Sequence, residues 1–150
     1  GGWGWAPTWF LAQRRRRPGP GRAGARTKGD RILFDEYRAA GWSVFAATED
    51  GSEGFRGLVT ELLAERLPKW NRPVFLYGCG PAPMLYALAR FANERGIACE
   101  TSMDQHMGCG VGACFACVVK VKDAASPDGW RYSRSCKEGT VYSAKEVYCG

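Results

Sequence analysis

The sequence predicts an α/β chain, a parallel sheet with flanking helices followed by a small β-rich module at the C-terminal end. Three observations carry this. Between residues 7 and 100 the apolar pattern switches between helical and strand periods, as in alternating α/β folds. Short apolar runs in that stretch, such as Val74-Phe75-Leu76-Tyr77, are of the kind buried in parallel sheets. After Thr101 the texture changes to glycines, cysteines and β-branched residues. With 150 residues, 45% apolar and 24% charged, the chain can bury one modest core or two small ones. Domains are expected at 1–101 and 102–150.

Each element has a local reason. Pro7 suits the first helical position, and Thr8 to Gln13 continue from it. Residues 31–40 form a second short helix, stopped by Gly41. Trp42 to Ala47 reads as a buried strand. Phe55, Leu58, Val59, Leu62, Leu63 and Leu67 fall on one helix face, and Pro68 ends that helix. Pro73 introduces the strand at Val74 to Tyr77. Met84, Leu85, Leu88, Phe91 and Ala92 make the next helical stripe, stopped by Gly96, and residues 97–101 resume as a strand. In the C-terminal module, Val118 to Lys122 is β-branched enough for a strand. The turn Ser126-Pro127-Asp128-Gly129 returns it to a partner strand at 130–133. Lys137-Glu138-Gly139 turns again before Thr140-Val141-Tyr142.

Lys and Arg total 21 against 15 Asp and Glu, a net charge of +6. Eight of the basic residues and one acid lie in residues 1–31, with Arg14 to Arg17 in a single block. A nucleic-acid groove would spread its cations along a folded face among aromatics, so the block reads as the solvated end of a helix or a tail. No apolar run reaches membrane-spanning length, and the start lacks the regions of a signal peptide. A cytoplasmic protein without membrane contact is expected. The opening Gly1-Gly2-Trp3-Gly4, without Met, reads like the inside of a loop and predicts sequence upstream of it.

Seven cysteines are many for such a chain, and the odd number argues against a fully paired disulfide framework. Cys109-x4-Cys114-x2-Cys117, followed after 18 residues by Cys136, matches the C-x4-C-x2-C…C spacing of 2Fe-2S proteins. Such a cluster needs three thiolates from one tight loop and a fourth folded over it. Gly108, Gly110 and Gly112 alternate through the loop and let backbone N–H groups point at sulfur. Those bonds stabilise the added negative charge of a reduced cluster. A four-thiolate zinc site is the competing reading. Zinc sites usually take their ligands as two short pairs, and only Cys114 and Cys117 make one. The single histidine, His106, excludes a centre needing two and reads as a loop residue. Cys99 and Cys149 read as bystanders.

Two glycine segments are candidate nucleotide contacts. Gly2-Trp3-Gly4-Trp5-Ala6-Pro7 opening a helix suits a pyrophosphate, or is a plain tight turn. Gly78-Cys79-Gly80-Pro81 lies at the carboxyl end of a strand, where ligands of open α/β sheets bind. A packing turn is the alternative there.

Taken together, Gly1 to Pro7, Gly24-Ala25-Arg26-Thr27-Lys28, Thr48 to Thr60, Tyr77 to Met84 and Met107 to Val119 resemble, in order, the electron-transfer subunits of bacterial NAD-linked dihydroorotate dehydrogenases. These belong to the ferredoxin reductase-like superfamily. The resemblance implies an upstream FAD-binding barrel, a nucleotide-binding lobe at 1–101 lacking its first strand, and a 2Fe-2S module at 102–150. Electrons would pass from the FMN of a dihydroorotate-oxidising catalytic subunit, in a heterotetramer, through cluster and FAD to NAD+. By this analogy Gly2 and Gly4 face the pyrophosphate. Gly78, Cys79, Gly80 and Pro81 would line the nicotinamide and flavin contact, and Cys109, Cys114, Cys117 and Cys136 would ligate the cluster. A related iron-sulfur flavin reductase subunit, of hydrogenase, sulfite reductase or ferredoxin:NAD(P)H type, and a zinc-binding interaction module are the other readings. Arg131-Tyr132-Ser133 looks like a flavin motif, but Trp130 stands where its arginine belongs, so it reads as strand. Residues 16–23, with two prolines and two glycines, predict no central strand.

Overall fold

A computed structural model describes residues 5–14, 20–25, 29, 33–70 and 73–149. The expected contacts at Gly2 and Gly4 lie outside the described residues. The chain divides into two compact units, residues 1–73 and 74–150.

The first unit carries α1 (Trp5–Arg14), β1 (Pro20–Ala25), α2 (Phe34–Ala39), β2 (Ser43–Thr48), β3 (Phe55–Arg56) and α3 (Val59–Arg66), then a 3-10 turn at Leu67–Lys69. Its three strands run parallel in the order β1-β2-β3. Residues 20–25 form β1, so the stretch expected to make no central strand contributes an end strand instead. Pro20 to Ala25 pair in unbroken register with Ser43 to Thr48. β1 is an end strand of its sheet, and Pro20 is its first residue, so the missing N–H interrupts little of the ladder. The helix expected from Phe55 also starts later. Gly57 N–H still bonds Thr48 O at 3.0 Å, which keeps Phe55 and Arg56 in strand conformation. Leu58 becomes the N-cap, its own N–H held by the Glu61 carboxylate at 2.7 Å. Tyr37 centres a small core with Ala12 and Phe34. Its hydroxyl donates to Thr8 Oγ1 at 2.9 Å, and Trp9 meets its ring edge-on at 4.8 Å.

The second unit carries β4 (Phe75–Cys79), α4 (Ala82–Glu94), β5 (Ala98–Ser102), β6 (Val118–Lys122), β7 (Trp130–Arg134), α5 (Ser135–Glu138) and β8 (Val141–Ser143). β4 and β5 are parallel, β8 is antiparallel to β5, and β6 and β7 form a separate antiparallel pair. α4 buries the apolar stripe Leu85, Leu88, Ala89, Phe91 and Ala92, as its spacing predicts. Division by compactness falls at 73/74, whereas the change of sequence texture falls at 101/102. The reason is that β8 returns to β5, through Glu100↔Ser143 and Thr101↔Tyr142. Asn93 Nδ2 also donates to Ala144 O at 2.8 Å, so the cysteine-rich segment folds onto β5 and α4. Where a plain turn was expected at 137–139, residues 135–138 form one helical turn ending at Gly139. Among the described residues no helix is long and apolar enough to cross a membrane.

Candidate functional site

The cysteine loop hangs between two fixed points. At its entry, Met103 is fully buried and its N–H bonds Thr140 O at 2.7 Å. At its exit, β6 begins at Val118, which pairs with Arg134 on β7. That register decides the site. It sets Cys117, just before β6, beside Cys136, two residues past Arg134, and Cys136 N–H reaches Cys117 Sγ at 3.5 Å. Ser135 secures the same corner: its N–H bonds Cys117 O at 3.0 Å and its hydroxyl donates to Met103 O at 3.2 Å.

The other two thiols pair within the loop. Cys109 Sγ accepts the N–H groups of Ala113 at 3.3 Å and Cys114 at 3.4 Å. Those amides, that of Val111 and the Cys114 thiol bring the Cys109 thiol down to about 6. The Cys117 thiol is lowered by the amide and thiol of Cys136, and the Cys136 thiol is raised because its proton is shared with Cys117. The Gly112 amide acts on Cys136 in the opposite, lowering direction. The four thiols therefore stand as Cys109 with Cys114 and Cys117 with Cys136. Cys109 and Cys114 are exposed, Cys136 half-buried and Cys117 buried.

This donor set fits a two-iron cluster, in which each iron takes two thiolates. A single tetrahedral ion would instead draw all four thiolates to one point. The loop also leaves room at sulfur. Gly112 has φ +82° and a Cβ there would meet Lys137 Cδ at 3.2 Å, while a Cβ on Gly108 would lie 3.1 Å from Cys114 Sγ.

A network that the sequence reading missed fastens the loop to the hairpin. Arg134 Nη1 donates to Gly112 O at 3.2 Å, and its Nη2 and Nε donate to Glu138 Oε1 at 2.7 and 3.1 Å. Glu138 Oε2 accepts from Ser133 Oγ at 2.7 Å and from Arg134 N at 3.0 Å. These donors hold the Glu138 carboxyl down to about 2, and the arginine is the largest cause. The signal was available as a basic and an acidic residue four apart, but residues 137–139 read as a turn. Ser133 is buried in this network and within 3.0 Å of Tyr142 OH, which bears out reading Arg131-Tyr132-Ser133 as strand. His106 is exposed.

Gly78, Cys79, Gly80 and Pro81 lie where expected, at the carboxyl end of β4 with Pro81 as N-cap of α4. At Gly78 the space for a Cβ is already taken by Leu88 Cδ2, with Leu85 Cδ2 at 3.2 Å. Helix packing therefore favours glycine there, since any Cβ would have to push the leucine methyls aside. Cys79 is paired in register with Ser102. Burial raises its thiol, against the lowering effect of the Ser102 hydroxyl.

Parallel strands with flanking helices, joined to a loop of paired thiols under backbone amides, define an α/β chain bearing an iron-sulfur-type module. Residues 104–148 match the family described as the iron-sulfur cluster binding domain of dihydroorotate dehydrogenase B. By sequence the chain is related to the electron transfer subunits of dihydroorotate dehydrogenase B (NAD(+)). It is 37% identical over 120 residues to that of Caldanaerobacter subterraneus subsp. tengcongensis, covering 80% of this chain and 46% of the relative. Against the subunit of Lysinibacillus sphaericus it is 43% identical, covering 75% of this chain and 41% of the relative. The chain thus spans less than half the length of these relatives. A solved structure of an NADH-dependent reduced ferredoxin-NADP oxidoreductase, described for flavin-based electron bifurcation, matches with a TM-score of 0.75 and 26% identity. It covers 99% of this chain and 51% of that one.

Proposed function

We propose that this chain is part of a ferredoxin reductase-like electron-transfer subunit, an oxidoreductase component serving passage of electrons from dihydroorotate to NAD+ in pyrimidine biosynthesis. The observation that carries the proposal is the two-plus-two arrangement of thiols, Cys117 with Cys136 through the β6–β7 register and Cys109 with Cys114 within the loop. Cys109 and Cys114 would hold one iron of a 2Fe-2S cluster, and Cys117 and Cys136 the other. A bound cluster supplies one-electron exchange, and a bound FAD the conversion to the two-electron chemistry of NAD+. The amides of Val111, Ala113 and Gly112 serve to offset negative charge at sulfur.

Residues 102–150 act as the cluster module and 1–101 as the nucleotide side. Gly78, Cys79, Gly80 and Pro81 would line the nicotinamide and flavin contact, and Gly2 and Gly4 the pyrophosphate. Met107, Val111 and Phe115 stand 42%, 70% and 56% exposed around the thiol loop. Such an apolar rim suits closure against an FMN-containing catalytic subunit, in a heterotetramer. A cytoplasmic setting keeps the thiols reduced.

The test uses the full-length subunit reconstituted with a dihydroorotate-oxidising flavoprotein. Addition of dihydroorotate bleaches the visible absorption of the cluster, and absence of bleaching rejects the proposal. The solved ferredoxin-NADP oxidoreductase relative favours one other reading, a flavin reductase of that kind. Bleaching by NADPH or reduced ferredoxin, with none by dihydroorotate, would establish it.

A further inference from the structure

The hairpin of β6 and β7 has one buried and one open face. Val119, Val121 and Ser133 are buried, so by strand alternation Lys120, Lys122, Trp130 and Tyr132 share the opposite face. The register puts Lys120 opposite Tyr132 and Lys122 opposite Trp130. Lys120 Nζ stands 3.9 Å over the Trp130 ring, Trp130 meets Tyr132 edge-on at 5.0 Å, and Tyr148 adds a third ring 6.1 Å from Trp130. Tyr132 is 51% exposed.

Neither lysine makes an ion pair among the described residues, whereas two of the nearby acids, Asp123 and Glu138, are paired with arginines. Asp123 pairs with Arg131 at 3.8 Å, Glu138 with Arg134 at 2.7 Å, and Glu146 accepts Ser143 N–H at 3.1 Å. Asp128, in the turn, is exposed. The face runs directly to the thiol loop, because Arg134 on its last rung lies 5.5 Å from the Phe115 ring.

We propose that this lysine–aromatic face is a docking surface for a small acidic redox protein. Its chemistry differs from the apolar rim of the loop. Two lysines outside any ion pair among the described residues, one of them over the half-buried Trp130 ring and opposite the exposed Tyr132, suit a small, salt-sensitive encounter of the kind made by electron-transfer partners. Two lysines are too few to neutralise the run of phosphates on which nucleic-acid binding depends. The surface extends the reading under Proposed function by adding a second partner at the cluster module. It does not depend on which donor reduces the protein.

The test is binding of the anaerobically purified chain to an acidic plant-type ferredoxin, measured by calorimetry with both proteins oxidised. Binding is expected at low ionic strength, weakening steeply with salt. Lys120→Glu with Lys122→Glu should raise Kd about tenfold or more, and Tyr132→Ser should raise it without changing the salt dependence. Lys69→Glu with Arg38→Glu, an equal change of charge in the first unit, should leave Kd nearly unchanged. No binding, an equal loss from both charge reversals, or tighter binding of single-stranded RNA through the same lysines would each overturn the proposal. Retained visible colour in every variant shows that the cluster reading stands or falls separately.

Discussion

Gly78 and Gly112 each lie in a glycine and cysteine segment at the end of a strand or loop, yet different forces fix them. At Gly78 the constraint is steric and comes from behind, because Leu88 and Leu85 of α4 occupy the place of a side chain. At Gly112 the constraint is conformational and electrostatic. φ is +82°, the carbonyl is held by Arg134, and the amide acts on Cys136. One segment is shaped by the core beneath it, the other by what sulfur requires of the backbone. The same letters therefore support a packing reading in one place and a cofactor reading in the other.

The comparison can be broken by variants that should separate stability from metal content. Cys114→Ser should have the largest effect, abolishing visible absorption and iron while far-ultraviolet circular dichroism stays that of the native chain. Loss of helix signal together with the colour would show that the two properties are not separable. Gly78→Ala should do the reverse, costing about 1–3 kcal/mol of stability by overpacking with iron content unchanged. Adding Leu88→Ala should make the pair less destabilised than the sum of the single variants, as read by chemical denaturation. The smallest effect belongs to Glu138→Gln, which keeps the shape but weakens the bonds from Arg134 and Ser133. About 1 kcal/mol is expected for these partly exposed groups, visible as a lower denaturation midpoint with colour retained.

Much of this architecture was readable before the structure. The α4 stripe from Leu85 to Ala92 and the strands around Phe75, Ala98 and Val118 follow from periodicity, since each has one buried face. Three features did not. β1 was hidden because a strand at the end of a sheet tolerates Pro20 and two glycines that a central strand would not. The late start of α3 turns on one backbone bond, Gly57 N–H to Thr48 O, which no side-chain pattern reports. The return of β8 to β5 is a long-range pairing, so the texture change at Thr101 does not mark the compact boundary. In the site, the spacing of Cys109, Cys114 and Cys117 was legible, but the meeting of Cys117 with Cys136 came from the Val118↔Arg134 register. The Arg134–Glu138 clamp was missed because four residues of helix look like a turn.

The central claim is that these thiols serve two irons rather than one ion. Iron and acid-labile sulfide analysis of the anaerobically prepared protein tests it most directly. Two irons and two sulfides per chain, lost together in Cys114→Ser, are the predicted result. One zinc per chain, without sulfide or visible absorption, would contradict it.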